Sequence, residues 1–204
     1  LKIDIKTHVT AEKILIDDDS VRGVELADGT ALFSNTVLCS SGLHSIKNLV
    51  GVSSFDIEDS RSIRNLRTSG TTAKVNLQLS KLPSFKNIQL PITDNRFVVA
   101  PSVNYVDQAF NCCKYGRFSE APVSESVFIT RENESWLSSI VQFIPSELEG
   151  GWNLAAKESL KNVFIQSLSE FIPEIGELTV DYEVITPIDF AQDLGVEGGN
   201  WNHA

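Results

Sequence analysis

The residues best suited to chemistry lie near the two ends of the chain. One group is Gly198-Gly199-Asn200-Trp201-Asn202-His203. Paired glycines let a backbone come close to a ligand. Trp201 can stack on a flat ring, and His203 can donate a hydrogen bond or shuttle a proton. The alternative is a structural turn followed by a solvent-exposed histidine. The second group is Ser40-Ser41-Gly42, which follows the apolar run Thr36-Val37-Leu38-Cys39. Ligands of open α/β sheets bind at the carboxyl ends of strands, where such a group would sit. The remaining reactive side chains read as structural. His8 and His44 have no Cys, Asp or Glu at metal-ligand spacing. Asp17-Asp18-Asp19 lacks the spaced oxygens and closing Glu of a calcium loop and reads as a solvated hairpin tip. Cys112-Cys113 are adjacent within a helix, so one faces the core and one is partly exposed. Three cysteines give neither a disulfide framework nor a zinc site, and the expectation is reduced, mostly buried thiols in a cytoplasmic compartment. No metal site is expected.

These groups need elements to position them. Leu1, Ile3 and Ile5 alternate with polar residues, and Lys13 to Ile16, Val21 to Leu26 and Thr30 to Phe33 read as strands joined by Asp-rich and Asp28-Gly29 turns. The run Thr36 to Cys39 is apolar on both faces, which predicts a buried strand of a parallel sheet. A short helix then carries Leu43, Ile46, Leu49 and Val50 on one side. Residues 52 to 70 are polar and poorly periodic. Thr72 to Ser80 alternates strictly, which predicts a strand with one wet face. Arg96 to Ala100, Val123 to Thr130, Leu137 to Ile144 and Leu178 to Ile185 read as further strands. Ser102 opens a helix that ends at Gly116. Asn153 opens another that carries Leu160, Phe164, Leu168 and Phe171 on one stripe and stops before Pro173. Phe110, Phe128, Trp136, Phe143, Trp152 and Phe164 read mainly as core. The fold class is α+β, with a mixed or antiparallel sheet and packed helices.

Composition narrows the function classes. The chain has 204 residues, 42% hydrophobic and 22% charged, with a net charge of −10. That charge opposes nucleic acid, where Lys and Arg must neutralise phosphates, and weakly opposes anionic membrane surfaces. No apolar run approaches the ~20 residues that span a bilayer. The chain begins in mid-strand and has no Met, so it reads as the interior of a longer protein.

The meander Ile14-Leu15-Ile16, Val21, Gly23-Val24-x-Leu26-x-Asp28-Gly29, Val37-Leu38 and Gly42 resembles the second FAD-associated segment of the flavoprotein amine-oxidase and phytoene-desaturase superfamily. Ser69-Gly70-Thr71-Thr72-Ala73-Lys74-Val75-Asn76-Leu77, with Leu82-Pro83-x-Phe85, is similar to that family's first substrate-domain strand. Pro101-Ser102, Tyr105-Val106, Tyr115-Gly116-Arg117 and Pro122 resemble its next helix and exit. Gln142-Phe143-x-Pro145, Gly150-Gly151-Trp152 and Thr186-Pro187-x-Asp189-Phe190 through Leu194-Gly195, Gly198-Gly199-Asn200 and His203 extend the match over nearly the whole chain. The group most similar is the phytoene-dehydrogenase-like FAD-dependent oxidoreductases.

The resemblance implies that residues 1–42 are part of an FAD-binding domain and residues 43–204 a substrate-binding domain. It implies FAD as cofactor, with contacts at Ala11, Ser40, Ser41, Gly42, Gly198, Gly199 and His203, and a small substrate, apolar or amine-like, whose hydride passes to the flavin. It assigns no catalytic residue and no oligomeric state. The sequence departs from the family pattern: no Gly-x-Gly occurs, and the family's glycine-rich C-terminal segment is absent. The pyrophosphate fingerprint would therefore lie outside this chain, which alone should bind FAD poorly or not at all. The stretch Thr130 to Trp136 also looks shorter than its family counterpart. Two other readings remain: a non-catalytic ligand-binding or regulatory module that kept this fold, and a non-flavin α+β domain.

Overall fold

Strict alternation in Thr72–Leu79 places Ala73, Val75, Leu77 and Leu79 on one face, and all four are buried. In the computed structural model, which describes residues 3–86, 92–93, 95–132 and 134–201, this strand lies inside a five-stranded antiparallel sheet. Two compact units are present. The first ends at Arg67 and the second begins at Thr68.

The first unit opens with an antiparallel meander of β1 (Ala11–Asp17), β2 (Ser20–Leu26) and β3 (Ala31–Phe33). Asp18 and Asp19 both have positive φ, 45° and 56°, which matches the twist of a tight hairpin and keeps the acidic run at its tip. At the next turn the Thr30 amide donates to Asp28 Oδ1 at 2.9 Å. That bond holds the Asp28 carboxyl below its ordinary pKa. Next come α1 (Leu43–Val50), a 3-10 turn (Val52–Ser54) and α2 (Ile57–Arg64). The α2 start is fixed by Asp56, whose Oδ1 accepts from the Asp59 amide at 2.7 Å.

Two expectations for this unit are corrected. Ile3 and Ile5 lie in irregular chain, 75% and 79% exposed, and the first strand starts at Ala11. Leu1 is outside the described residues. Thr36 to Cys39 is not a buried parallel strand: the run is irregular, Leu38 is 95% exposed, Cys39 is exposed, and every strand pair among the described residues is antiparallel. A strand apolar on both faces forms only with neighbours that satisfy its amides and cover its side chains, and no described strand lies beside this one. The geometric division falls at Arg67, so α1 and α2 group with the meander.

In the second unit β4 (Thr72–Leu79), β5 (Arg96–Val99), β6 (Ser124–Arg131), β7 (Glu134–Gln142) and β8 (Thr179–Ile185) form the order β5-β6-β7-β4-β8. The long helix α4 (Leu154–Ser169) belongs to the same core. Leu160, Phe164 and Leu168, four residues apart on one stripe, are fully buried with Val75, Leu77, Leu137 and Val141 of the sheet. Full burial of each large apolar side chain contributes about 1.5–3 kcal/mol. Asn153 Oδ1 accepts from the Ala156 amide at 2.9 Å and caps α4 as expected. The helix ends at Ser169 rather than Ile172, and a four-residue helix α5 (Ile175–Leu178) precedes β8. Phe128 and Phe164 are core, whereas Phe110 of α3 (Val103–Lys114) is 42% exposed.

The sequence reading missed α6 (Pro187–Gln192). Its signal was present. Thr186 is a cap residue, Pro187 is at the first helical position, and Asp189 completes a reciprocal capping box.

Candidate functional site

In the first unit the meander and α1 bring Ala11, Ser40 and Ser41 together on one open cleft of about 600 Å³. Glu12, Leu38, Cys39 and Asn48 also line it. The Cys39 thiol and the Ser41 hydroxyl are 2.9 Å apart. The lining therefore offers hydroxyls, an amide and one carboxylate, and no Lys or Arg. This donor set suits a neutral nucleoside with ribose hydroxyls, which a carboxylate can accept from. It does not suit a pyrophosphate, which calls for cations or a helix N-terminus. Gly42 is the N-cap of α1 and does not line the cleft.

The second unit presents the sheet face opposite the core. Cross-strand pairing puts Lys74 in one row with Ile140 and Ile185, and Glu125 and Val98 continue that row outward. The next row is polar and internally bonded: Ser138 Oγ donates to Asn76 Oδ1 at 2.9 Å, and Asn76 Nδ2 donates to Glu183 Oε2 at 2.8 Å. Trp136 lies in the row beyond, between Ile129 and Gln78, and its indole N–H donates to Glu134 Oε2 at 3.1 Å. Arg96 is paired with Glu125. Lys74 takes part in none of the ion pairs among the described residues. A half-buried lysine flanked by two isoleucines was not singled out in the sequence. Its one visible signal was a cation within a strictly alternating strand.

Gly198 and Gly199 have a packing role. The Gly70 amide donates to Gly198 O at 2.8 Å, and Ser69 bridges Gly199. A Cβ on Gly198 would strike Thr68 O, one on Gly199 would strike Pro187 O, and one on Gly70 would strike Gly199 O, all inside van der Waals contact. Both strap glycines also have positive φ, 59° and 69°. Close approach of backbone to backbone thus accounts for glycine at these positions. Trp201 is 39% exposed beside this strap. His203 lies outside the described residues.

Behind the strap, α6 is tied to α4. Lys157 Nζ donates to Asp189 Oδ1 at 2.8 Å, while the Thr186 amide and hydroxyl each donate to Asp189 Oδ2 at 2.7 Å. Burial alone would raise the Asp189 pKa, but the Lys157 and Thr186 donors outweigh it and hold the carboxyl below its ordinary value. The thiol pair differs from this tie. Cys112 and Cys113 are both partly buried, rather than one core and one partly exposed, and burial, with Cys112 adding a second push, raises the Cys113 pKa.

No family model matches the sequence. The chain is similar to an oxidoreductase from Methanosarcina mazei, at 13% identity and a TM-score of 0.51, covering 87% of this chain and 37% of that one. It is also similar to the PF1083 protein from Pyrococcus furiosus, at 12% identity and a TM-score of 0.50, covering 86% of this chain and 36% of that one. The chain thus spans little more than a third of the length of the structures it matches, and at such identity the likeness is one of fold. No helix among the described residues is long and apolar enough to cross a membrane.

Proposed function

We propose that this chain is the substrate-domain part of an FAD-dependent oxidoreductase of the phytoene-dehydrogenase-like kind, acting on a small, largely apolar substrate. The observation that carries this reading is the cleft of the first unit, where Ala11, Ser40 and Ser41 meet with the donor set of a nucleoside site. The fold shared with an oxidoreductase supports it. In this reading Glu12, Ser40 and Ser41 hold the ribose and base end of FAD, and the pyrophosphate is held by polypeptide beyond this chain. When bound, the flavin supplies hydride acceptance.

The second unit's part is to bind and orient the substrate. Ile140 and Ile185 in one row, and Ile129 and Trp136 in another, give apolar patches on either side of the polar Ser138-Asn76-Glu183 row. Lys74 holds a polar or acidic end of the substrate through its free ammonium. Exposed apolar side chains such as Leu38 and Phe33, 95% and 80% exposed, are those that the rest of the coenzyme domain would cover.

The deciding experiment is flavin titration of the full-length protein beside this chain. The expected outcome is a yellow, flavin-saturable full-length protein and a chain of residues 1–204 that binds FAD weakly or not at all. A full-length protein that stays colourless and shows no saturable FAD binding overturns the proposal and favours a non-catalytic module.

A further inference from the structure

We propose that a second cleft of the first unit, walled by α1, the 3-10 turn and α2, binds an amphiphile with a single anionic head. The cleft measures about 460 Å³. Val52, Phe55 and Ile57 give it an apolar side, and Lys47, Arg61 and Arg64 a cationic one. It shares no residue with the cleft at Ala11 and Ser41, and it does not depend on the FAD reading.

Charge marks this place out. The whole chain carries −10, yet three cations converge here. Arg61 and Arg64 are three residues apart on α2 and therefore share a face. Neither takes part in an ion pair among the described residues. Asp56 also borders the cleft, but its Oδ1 is occupied in capping α2. Lys47 donates one proton to Ser60 O at 3.2 Å and keeps two others. Guanidinium groups recognise carboxylates and phosphates by paired hydrogen bonds.

The apolar side distinguishes an amphiphile from a simple anion. Val52 is 63% and Ile57 87% exposed at the mouth, next to the partly buried Phe55. Large apolar side chains left in water beside unpaired guanidinium groups match a ligand with a hydrocarbon tail and an acidic head. A free fatty acyl carboxylate and an acidic lipid in a bilayer share that chemistry.

The test uses the full chain and calorimetric titration with decanoate, decylamine and butyrate, together with pelleting on phosphatidylserine/phosphatidylcholine vesicles. Decanoate should bind saturably, with decylamine and butyrate each about tenfold weaker or more. The double variant Arg61→Gln/Arg64→Gln should weaken decanoate about tenfold, and Ile57→Ser should reduce the advantage of decanoate over butyrate. Arg61, Arg64 and Ile57 are exposed, so circular dichroism should show all variants folded. Vesicle pelleting that the double variant abolishes, without decanoate binding, assigns the head to a bilayer lipid and supports the site. Decylamine binding as tightly as decanoate, or a double variant that binds every probe as the unmodified chain does, overturns it, as does failure of both decanoate and vesicles to bind.

Discussion

The two units bury their apolar residues very differently. In the second, a sheet and α4 enclose Phe164, Leu160, Leu77 and Leu137 at 0% exposure. In the first, the buried apolar residues among those described are Ile14, Leu26 and Ile63, each still 7% exposed, while Phe33 and Leu38 stand in water. Three strands and two short helices do not enclose a full core. The second unit therefore carries its own stability, and the first depends on what packs against it.

The sharpest way to break this contrast is to cut the second core. Phe164→Ala should cost about 3–5 kcal/mol in urea unfolding, because a large cavity opens between α4 and the sheet. Ile14→Ala, made in the thinner core, should cost less. A comparable loss at both positions would refute the contrast. Next in size, Gly199→Ala should cost about 2–3 kcal/mol, since the new Cβ meets Pro187 O and the residue must keep a positive φ. Its thermal midpoint against that of Gly29→Ala, where nothing lies within 4 Å of a Cβ, separates packing from backbone strain.

Smaller effects sharpen the picture. The Asp189 carboxyl ionises more readily in the folded chain than unfolded. Its contribution is fully present above the ordinary carboxylate pKa of about 3.9 and is lost as pH falls through the lower folded value. Asp189→Asn should cost about 1 kcal/mol at pH 7 and flatten the acid limb of a stability-against-pH curve. An unchanged limb would show that the Lys157 tie is not formed in solution. Smallest of all, Leu38→Ser should shift the stability of this chain by no more than about 0.5 kcal/mol. Amide hydrogen exchange should agree, with β4 and β7 protected close to the global unfolding free energy and β1 to β3 opening earlier.

What could be read from the sequence follows the same division. β4 was legible because one face is buried and the other wet, so alternation encodes its orientation. α4 was legible because Leu160, Phe164 and Leu168 repeat every four residues under an Asn153 cap. Thr36 to Cys39 misled because apolarity on both faces records a need for neighbours without naming where they lie. At the candidate site, Ser40 and Ser41 could be expected from their place after an apolar run. The isolation of Lys74 could not, because it depends on which residues stand opposite it on β7 and β8. The glycine strap was visible as unusual composition, but the reason for it, three backbones in contact, exists only in three dimensions.

The outer position of β8 has a consequence for association between copies of the chain. It is an edge strand, with Val180 61% and Tyr182 40% exposed, and Asp181 and Glu183 alternate with them. Two such edges laid side by side would set like charges against one another, which opposes strand pairing between copies of the chain. Replacing both carboxylates, as in Asp181→Asn/Glu183→Gln, would remove this guard and leave the outer amides and carbonyls of β8 open to pairing with a second edge.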